Sequence, residues 1–307
     1  MDNHKSIRTE PFSLRDELAF VDGGSVEVER IVMRDEDDGI REEFGCHEYL
    51  NDDGVEMEFI AQVLEHGLIA ARRMHEDAES LALQKPSRES IFRRYFLGVC
   101  AGMDRLKTFL IIPSAEPGFS ESPDFRASLS FANGNRQPIC EKVAVQASEM
   151  AERADRLMNS LNSKHGSGRV YRDVGFAASL VLRSPAGRVF NCRVKARFDY
   201  VEVFEGEKVF LGAYEMAPCC AESSVRRLSR EKHWALRAYL GRIMAAAYFG
   251  LPAEWTYVVS STEHDICRAY DVGTTSLEEG RVDLFRGIFR LCCQSTSDEV
   301  YLRSATL

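Results

Sequence analysis

Between Val189 and Ala217 the chain reads VFNCRVKARFDYVEVFEGEKVFLGAYEMA, and its alternation reads as two successive β-strands. Side chains two apart on a strand share a face. Cys192, Val194, Ala196 and Phe198 form an apolar row suited to a core, which leaves Arg193, Lys195, Arg197 and Asp199 on the other side. On the second strand Glu215 and Ala217 share one face, while Tyr214 and Met216 take the other. Carboxylates on neighbouring strands, here Asp199 and Glu215, suit a hard divalent cation such as Mg²⁺ or Mn²⁺, which binds through oxygen ligands. Such an ion would activate water and neutralise developing phosphate charge.

The surrounding chain bounds what this pair serves. With 307 residues there is material for one large domain or two small ones, and 45% hydrophobic with 28% charged residues is ordinary globular composition. The net charge of −9 gives no general attraction to nucleic acid, so any such contact depends on a local basic patch. No segment is long and apolar enough to span a membrane, and residues 1–20 lack the apolar run of a secretory signal. Nine scattered cysteines without a C-x-x-C spacing argue against zinc. They are expected to be buried free thiols in an intracellular reducing compartment, with nucleus, cytoplasm and mitochondrion all open.

Residues 1–50 are polar and acidic, and Arg34 to Asp38 reads as a solvated loop. Helices are expected over 55–83 and from Ser87 to about Met103. A β-hairpin or meander follows, with a strand to Ile112, another over Phe125–Phe131, and an Asn133-Gly134 turn. From Glu141 the order sharpens. A helix runs to about Asn162, and a strand over Val174–Leu182 turns through Ser184-Pro-Ala-Gly187 into the Asp199 strand. The Glu215 strand leads into a long helix capped by Ser223 or Ser224 and ending before Gly250. A strand over Trp255–Ser261 and a helix over Ser276–Cys293 complete the series. The fold class is therefore α/β (α+β): a mixed central sheet flanked by helices, with the order αβββαβα. A single domain over 1–307 is expected, with residues 1–136 as a helical and hairpin extension and 137–307 as the core.

That order, with an Asp on one strand and a Glu on the next, resembles the PD-(D/E)xK nucleases, whose second strand carries Glu-x-Lys. In those enzymes the lysine orients water and supports the anionic transition state, which the Ala217 methyl cannot do. Over residues 85–300 the pattern resembles the DXO family of RNA 5′-end decapping nucleases more closely. Its carriers are the Leu106–Glu141 segment, VGFAASLVLRSPAGRVFNCRVKARFDYV, AYEMA and GLPAEWTYVVSS. The resemblance puts the family's arginine on or near Met103, its helix glutamate on Asp155, and its glutamine near Ala245. Its Glu-x-Asp becomes Arg197-Phe-Asp199 and its Glu-x-Lys becomes Glu215-Met-Ala217. An arginine where a metal-facing acid belongs turns attraction into repulsion, about 4 kcal/mol at 4 Å and an effective dielectric near 20.

What remains is basic. Arg193, Lys195 and Arg197 line the strand, Arg226, Arg227, Arg230 and Lys232 crowd the start of the long helix, and Arg237 and Arg242 follow. Guanidinium groups grip phosphate oxygens without a metal. The resemblance then implies a pseudoenzyme binding the phosphorylated RNA 5′ end, similar in kind to guide-RNA-binding subunits of trypanosomatid mitochondrial editing complexes. Protein partners in a homo- or hetero-oligomer, and no membrane, are expected. Two other readings stand beside it: an active Mg²⁺/Mn²⁺-dependent decapping nuclease with a relocated lysine (Lys195 or Lys208), and a structural protein-binding subunit. The bland readings are a solvated face for Arg226–Lys232 and a structural ion network for Asp199 and Glu215 with Arg197 or Lys195. His233 and Trp234 are expected at an interface or in the core, and His66 and His75 at the surface.

Overall fold

The structure is a computed structural model that describes residues 25–34, 55–82, 88–102, 109–112, 137–163, 166, 168–183 and 189–294. Its frame is a mixed seven-stranded sheet. The strands are β1 (Ser25–Arg34), β2 (Val55–Glu56), β5 (Arg169–Arg183), β6 (Val189–Phe204), β7 (Lys208–Ala217), β8 (Ala253–Ser261) and β9 (Cys267–Asp271). They lie in the order β1-β5-β6-β7-β8-β9, with β2 added beside β6. The β5-β6-β7 run is antiparallel, as consecutive strands joined by short turns must be. The step from β7 to β8 is parallel and therefore needs a crossover, supplied by α5 (Glu222–Glu231) and α6 (Trp234–Phe249).

Helices cover both faces. One apolar cluster joins the sheet to α6, to α7 (Thr274–Gln294) and to α1 (Met57–His66) with α2 (Leu68–Ala82). The other joins it to α3 (Arg88–Cys100) and α4 (Glu141–Leu161). On α4, Ala144, Ala147, Met150, Ala151, Ala154 and Met158 are buried, the stripe its spacing predicts. The αβββαβα order is present as α4-β5-β6-β7-α5/α6-β8-α7.

Several expectations are corrected. The expected 55–83 helix opens as β2 and breaks at Gly67, whose φ of +75° favours glycine. The long helix after β7 is two helices, because His233 takes a left-handed φ of +47°. Its N-cap is Ala221, with Ser223 and Ser224 inside the first turn. Residues 25–34, within the polar and acidic first fifty and including Arg34 of the expected loop, form an edge strand paired antiparallel with β5. β3 (Phe109–Ile112) pairs in parallel with β4 (Gln137–Cys140), a strand not expected from the sequence. The expected 125–131 strand, the Asn133 and Ser184 turns, Met103 and residues 35–38 lie outside the described residues. Nor are all thiols core: Cys140 is exposed and Cys219 and Cys267 are half-buried. His66 is exposed, whereas His75 lies edge-on to Phe59.

The simple alternation of β6 also fails at one level. Val194, Ala196 and Phe198 pack in the cluster of α1, α6 and α7, but Tyr200 packs in the opposite one and Val201 returns to the first. On β5 the same reversal occurs, for Tyr171 and Val174 share a cluster although they differ in parity. Between them Asp173 is fully buried with a left-handed φ of +53°. A non-glycine residue in that region costs about 1–2 kcal/mol, so the turnover is held by its surroundings. It falls level with Asp199.

Glycines set how closely the layers approach. A Cβ at Gly280 of α7 would strike the backbone carbonyl of Ala235 in α6, which cannot move aside. Gly280→Ala is expected to lower unfolding stability by about 3 kcal/mol, as overpacking does. Gly273→Ala, where a Cβ meets open space, is expected to stay near wild type; urea denaturation of both variants checks the pair.

Candidate functional site

Glu215 stands near the carboxyl end of β7, on the face that also carries Leu211, Ala213 and Ala217. It is 3% exposed. An ionised carboxylate there needs partners, and two helices from opposite layers supply them. Arg93 of α3 donates from one terminal nitrogen to Glu215 Oε2 at 3.0 Å. Arg237 of α6 lies 3.8 Å from Oε1 and also donates to Glu58 of α1. Lys232, at the break between α5 and α6, is the third cation in this field.

Burial raises the Glu215 pKa above the ordinary carboxylate range, opposed by Arg93, Arg237 and Lys232, with Asp199 raising it further. For Lys232 burial lowers the pKa, and the neighbouring Arg93 lowers it more, against Glu215 and Glu58. The carboxylates thus leave the Lys232 ammonium incompletely compensated.

Asp199 lies where β6 changes partners. Its earlier residues pair with β2, and pairing with β7 begins at Tyr200. Its Oδ2 accepts the Tyr214 backbone N–H at 3.0 Å. Asp199 stands near enough for its charge to act on Glu215, but the basic neighbours differ from those expected on the strand. Arg197 is half exposed and donates two hydrogen bonds to buried Asp173, at 2.5 Å each. Its charge is matched there, so the metal-repelling role expected of it passes to Arg93, Lys232 and Arg237. Lys195 lies opposite Glu56 of β2, four residues (about 13 Å of strand) from Asp199. Arg193, opposite Ser179, is farther still. Lys208 starts β7 at its opposite end and pairs with Glu254 at 2.8 Å.

Of the helix bases, Arg226 and Arg227 form exposed i,i+4 pairs with Glu222 and Glu231. Such pairs mark a solvated face and contribute about 0.3–0.5 kcal/mol. Arg230 is exposed on the same helix. Arg242 donates to the Ala253 carbonyl, and Ala245 is buried in the apolar core. Asp155 accepts from Arg172 at 2.6 Å, from the Tyr214 hydroxyl at 2.9 Å and from Asn159 at 3.0 Å. Because Tyr214 and Glu215 are consecutive on β7, Asp155 meets the sheet on the face opposite Glu215. Trp234 is core, stacked on Tyr257 at 4.0 Å.

Two participants were missed. Arg93 sits in an Arg-Arg pair flanked by Phe92, Tyr95 and Phe96, and bases bracketed by aromatics on a half-buried helix were the available signal. Glu58 gave none, since its role depends on where α6 lands.

Beside Glu215 a cavity of about 500 Å³ opens beyond the carboxyl ends of β7 and β8. Ala217 lines it, with Phe92 and Arg93 of α3, Gln146 of α4, Met216, and Thr262 just after β8. Crevices at the carboxyl ends of parallel strands are the usual ligand sites of open α/β sheets.

A divalent cation does not fit this acid pair. It would join two arginines already paired with Glu215 and the field of Lys232, and the Asp199 oxygen Oδ2 already accepts a backbone N–H. Among the described residues no group of three or more His, Cys, Asp or Glu side chains is arranged to hold a metal.

No protein-family model matches the chain, and no curated protein matches it. Among solved structures it is similar to a crystal structure from Eubacterium rectale named “Putative exonuclease”. The identity is 12%, the TM-score 0.44, and 87% of each chain is covered. A likeness this loose transfers neither residue roles nor activity.

Removing Arg237 leaves Glu215 and Glu58 without their shared partner, and loss of one member of a buried pair costs about 3–5 kcal/mol. Arg237→Ala is expected to be destabilised by about 3 kcal/mol near neutral pH. The sign with pH follows from the raised Glu215 pKa. Ionisation of Glu215 opposes folding as pH rises from the unfolded carboxylate value to the folded one, and loss of Arg237 moves the folded value higher. The gap between variant and wild type should therefore shrink as acid protonates Glu215 in both, which denaturation curves from pH 4 to 8 would measure.

Proposed function

We propose that this chain binds the phosphorylated 5′ end of an RNA at the carboxyl end of β7 and does not cut it. The observation that carries the reading is the convergence of Arg93, Lys232 and Arg237 on Glu215, where a PD-(D/E)xK-like strand pair would otherwise hold metal. Arg93 gives Glu215 one terminal nitrogen, and a guanidinium has five N–H donors, so it can grip a phosphate as well. Lys232, undercompensated where it stands, gains from any added anion. The pattern resemblance to DXO decapping nucleases supports RNA as the bearer of that phosphate. It equally supports a place beside protein partners in an RNA-processing assembly, similar in kind to that of the guide-RNA-binding subunits.

The metal-dependent nuclease reading requires a dication beside Arg93, Lys232 and Arg237, with Lys195 four residues from Asp199 on β6 and Lys208 paired with Glu254 at the far end of β7. The protein-scaffold reading leaves the half-buried cations around Glu215 without a task beyond neutralising it.

Matched RNAs ending in 5′-triphosphate, monophosphate or hydroxyl, with and without Mn²⁺, test all three readings. Affinity should follow phosphate charge, weaken steeply with salt, and be accompanied by no cleavage. Equal weak binding to the three RNAs would overturn the proposal, and Mn²⁺-dependent cleavage lost in Asp199→Ala would establish the nuclease instead. Replacing both Arg93 and Lys232 by Ala should make the plot of log affinity against log salt shallower by about 1.4, for two lost single-strand phosphate contacts.

A pH series gives an independent check. Phosphate binding favours protonated Lys232, whose folded pKa is lowered. Affinity should thus fall as pH rises through that lowered value, below the ordinary lysine range. In Lys232→Arg, which stays charged, the alkaline loss should be absent.

A further inference from the structure

The cavity beside Arg93 has a chemistry that phosphate binding does not use. Its wall is apolar, from Phe92, Val143 and Met216; exposed Gln146 and Thr262 give it an amide and hydroxyl rim; and Arg93, which binds Glu215, also lines it. At about 500 Å³ it lies within the roughly 300–1,000 Å³ of small-molecule sites. Ala217 forms part of the lining.

The geometry points to a nucleobase subsite: the base of the RNA's 5′-terminal nucleotide enters this cavity while its phosphate meets Arg93. A flat heteroaromatic ring matches an apolar wall that includes an aromatic side chain, because every base offers a π-face for stacking. The polar edges of a base match an amide and a hydroxyl at the rim, which both donate and accept. The guanidinium lies between this cavity and the Glu215 cluster, so one nucleotide spans both. An aliphatic ligand would leave the rim unused, and a free phosphate would leave the wall unused. Phe92 and Gln146 are then specificity-determining residues. The subsite rests on the 5′-phosphate reading above.

The test uses the full chain and two 5′-monophosphorylated RNAs that differ only in whether the first nucleotide carries a base or is abasic, with 5′-hydroxyl versions of each. Wild type should bind the abasic RNA about tenfold more weakly or worse, in keeping with the usual contribution of one stacked base. Phe92→Ala, which removes the aromatic part of the lining, should erase the base preference and keep the phosphate preference. Because Phe92 packs partly against the α3 and α4 core, its loss can also loosen folding. Exposed Gln146→Ala serves as the second variant and should reduce the base preference without touching the core. Equal binding of the abasic and ordinary RNAs, with the phosphate preference intact, overturns the base subsite alone. Absence of any phosphate preference in wild type overturns the function proposed above and the subsite with it.

Discussion

A carboxylate that cannot reach water organises this protein. Glu215 is nearly sealed at the end of β7, and an isolated charge there would be costly enough to force protonation. Arg93 and Arg237 meet it from opposite sides of the sheet, so α3 in one layer and α6 in the other are fixed to a single strand residue. Arg237 also binds Glu58, which ties α1 to the same point. Desolvation still prevails over these partners, since the Glu215 pKa remains raised.

A second polar system lies on the other face of the sheet. Asp155 binds Arg172, Tyr214 and Asn159, and Tyr200 extends the chain to Asn159 and Glu202. The two systems meet at Asp199, which accepts the backbone N–H of Tyr214 and lies level with the reversal of β5 and β6. That reversal explains why a strand pattern read by parity misassigns neighbours. A one-residue change of facing moves every later side chain to the other side, and here both strands change together while Asp173 holds a left-handed backbone. Arg197, on paper beside Asp199, is thereby matched by Asp173 instead.

Much of the fold was legible because it rests on short-range periodicity. The α4 stripe, the β7 and β8 rows and the glycine stop at Gly250 are local patterns with local causes. Errors fell where a local signal is weak or non-local. The break at His233 needs a left-handed histidine that no propensity marks, and the parallel pairing of β3 with β4 is set by chain segments far apart in sequence. The acid pair was legible for the same reason as the strands. Its cationic partners were half legible: Lys232 and Arg237 stood out as charge, while Arg93, 122 residues from Glu215, did not.

By itself the sequence determined that an Asp-bearing strand would precede a Glu-bearing one, that Ala217 would stand two residues beyond Glu215, and that helices would enclose the sheet. These follow from alternation and helical spacing, which act over a few residues. Only the tertiary structure decided which charges meet Glu215, that Arg197 is not among them, and that the space at Ala217 is an open cavity. Ion pairing and cavity shape depend on where separate helices land, and that is settled by packing across the whole sheet.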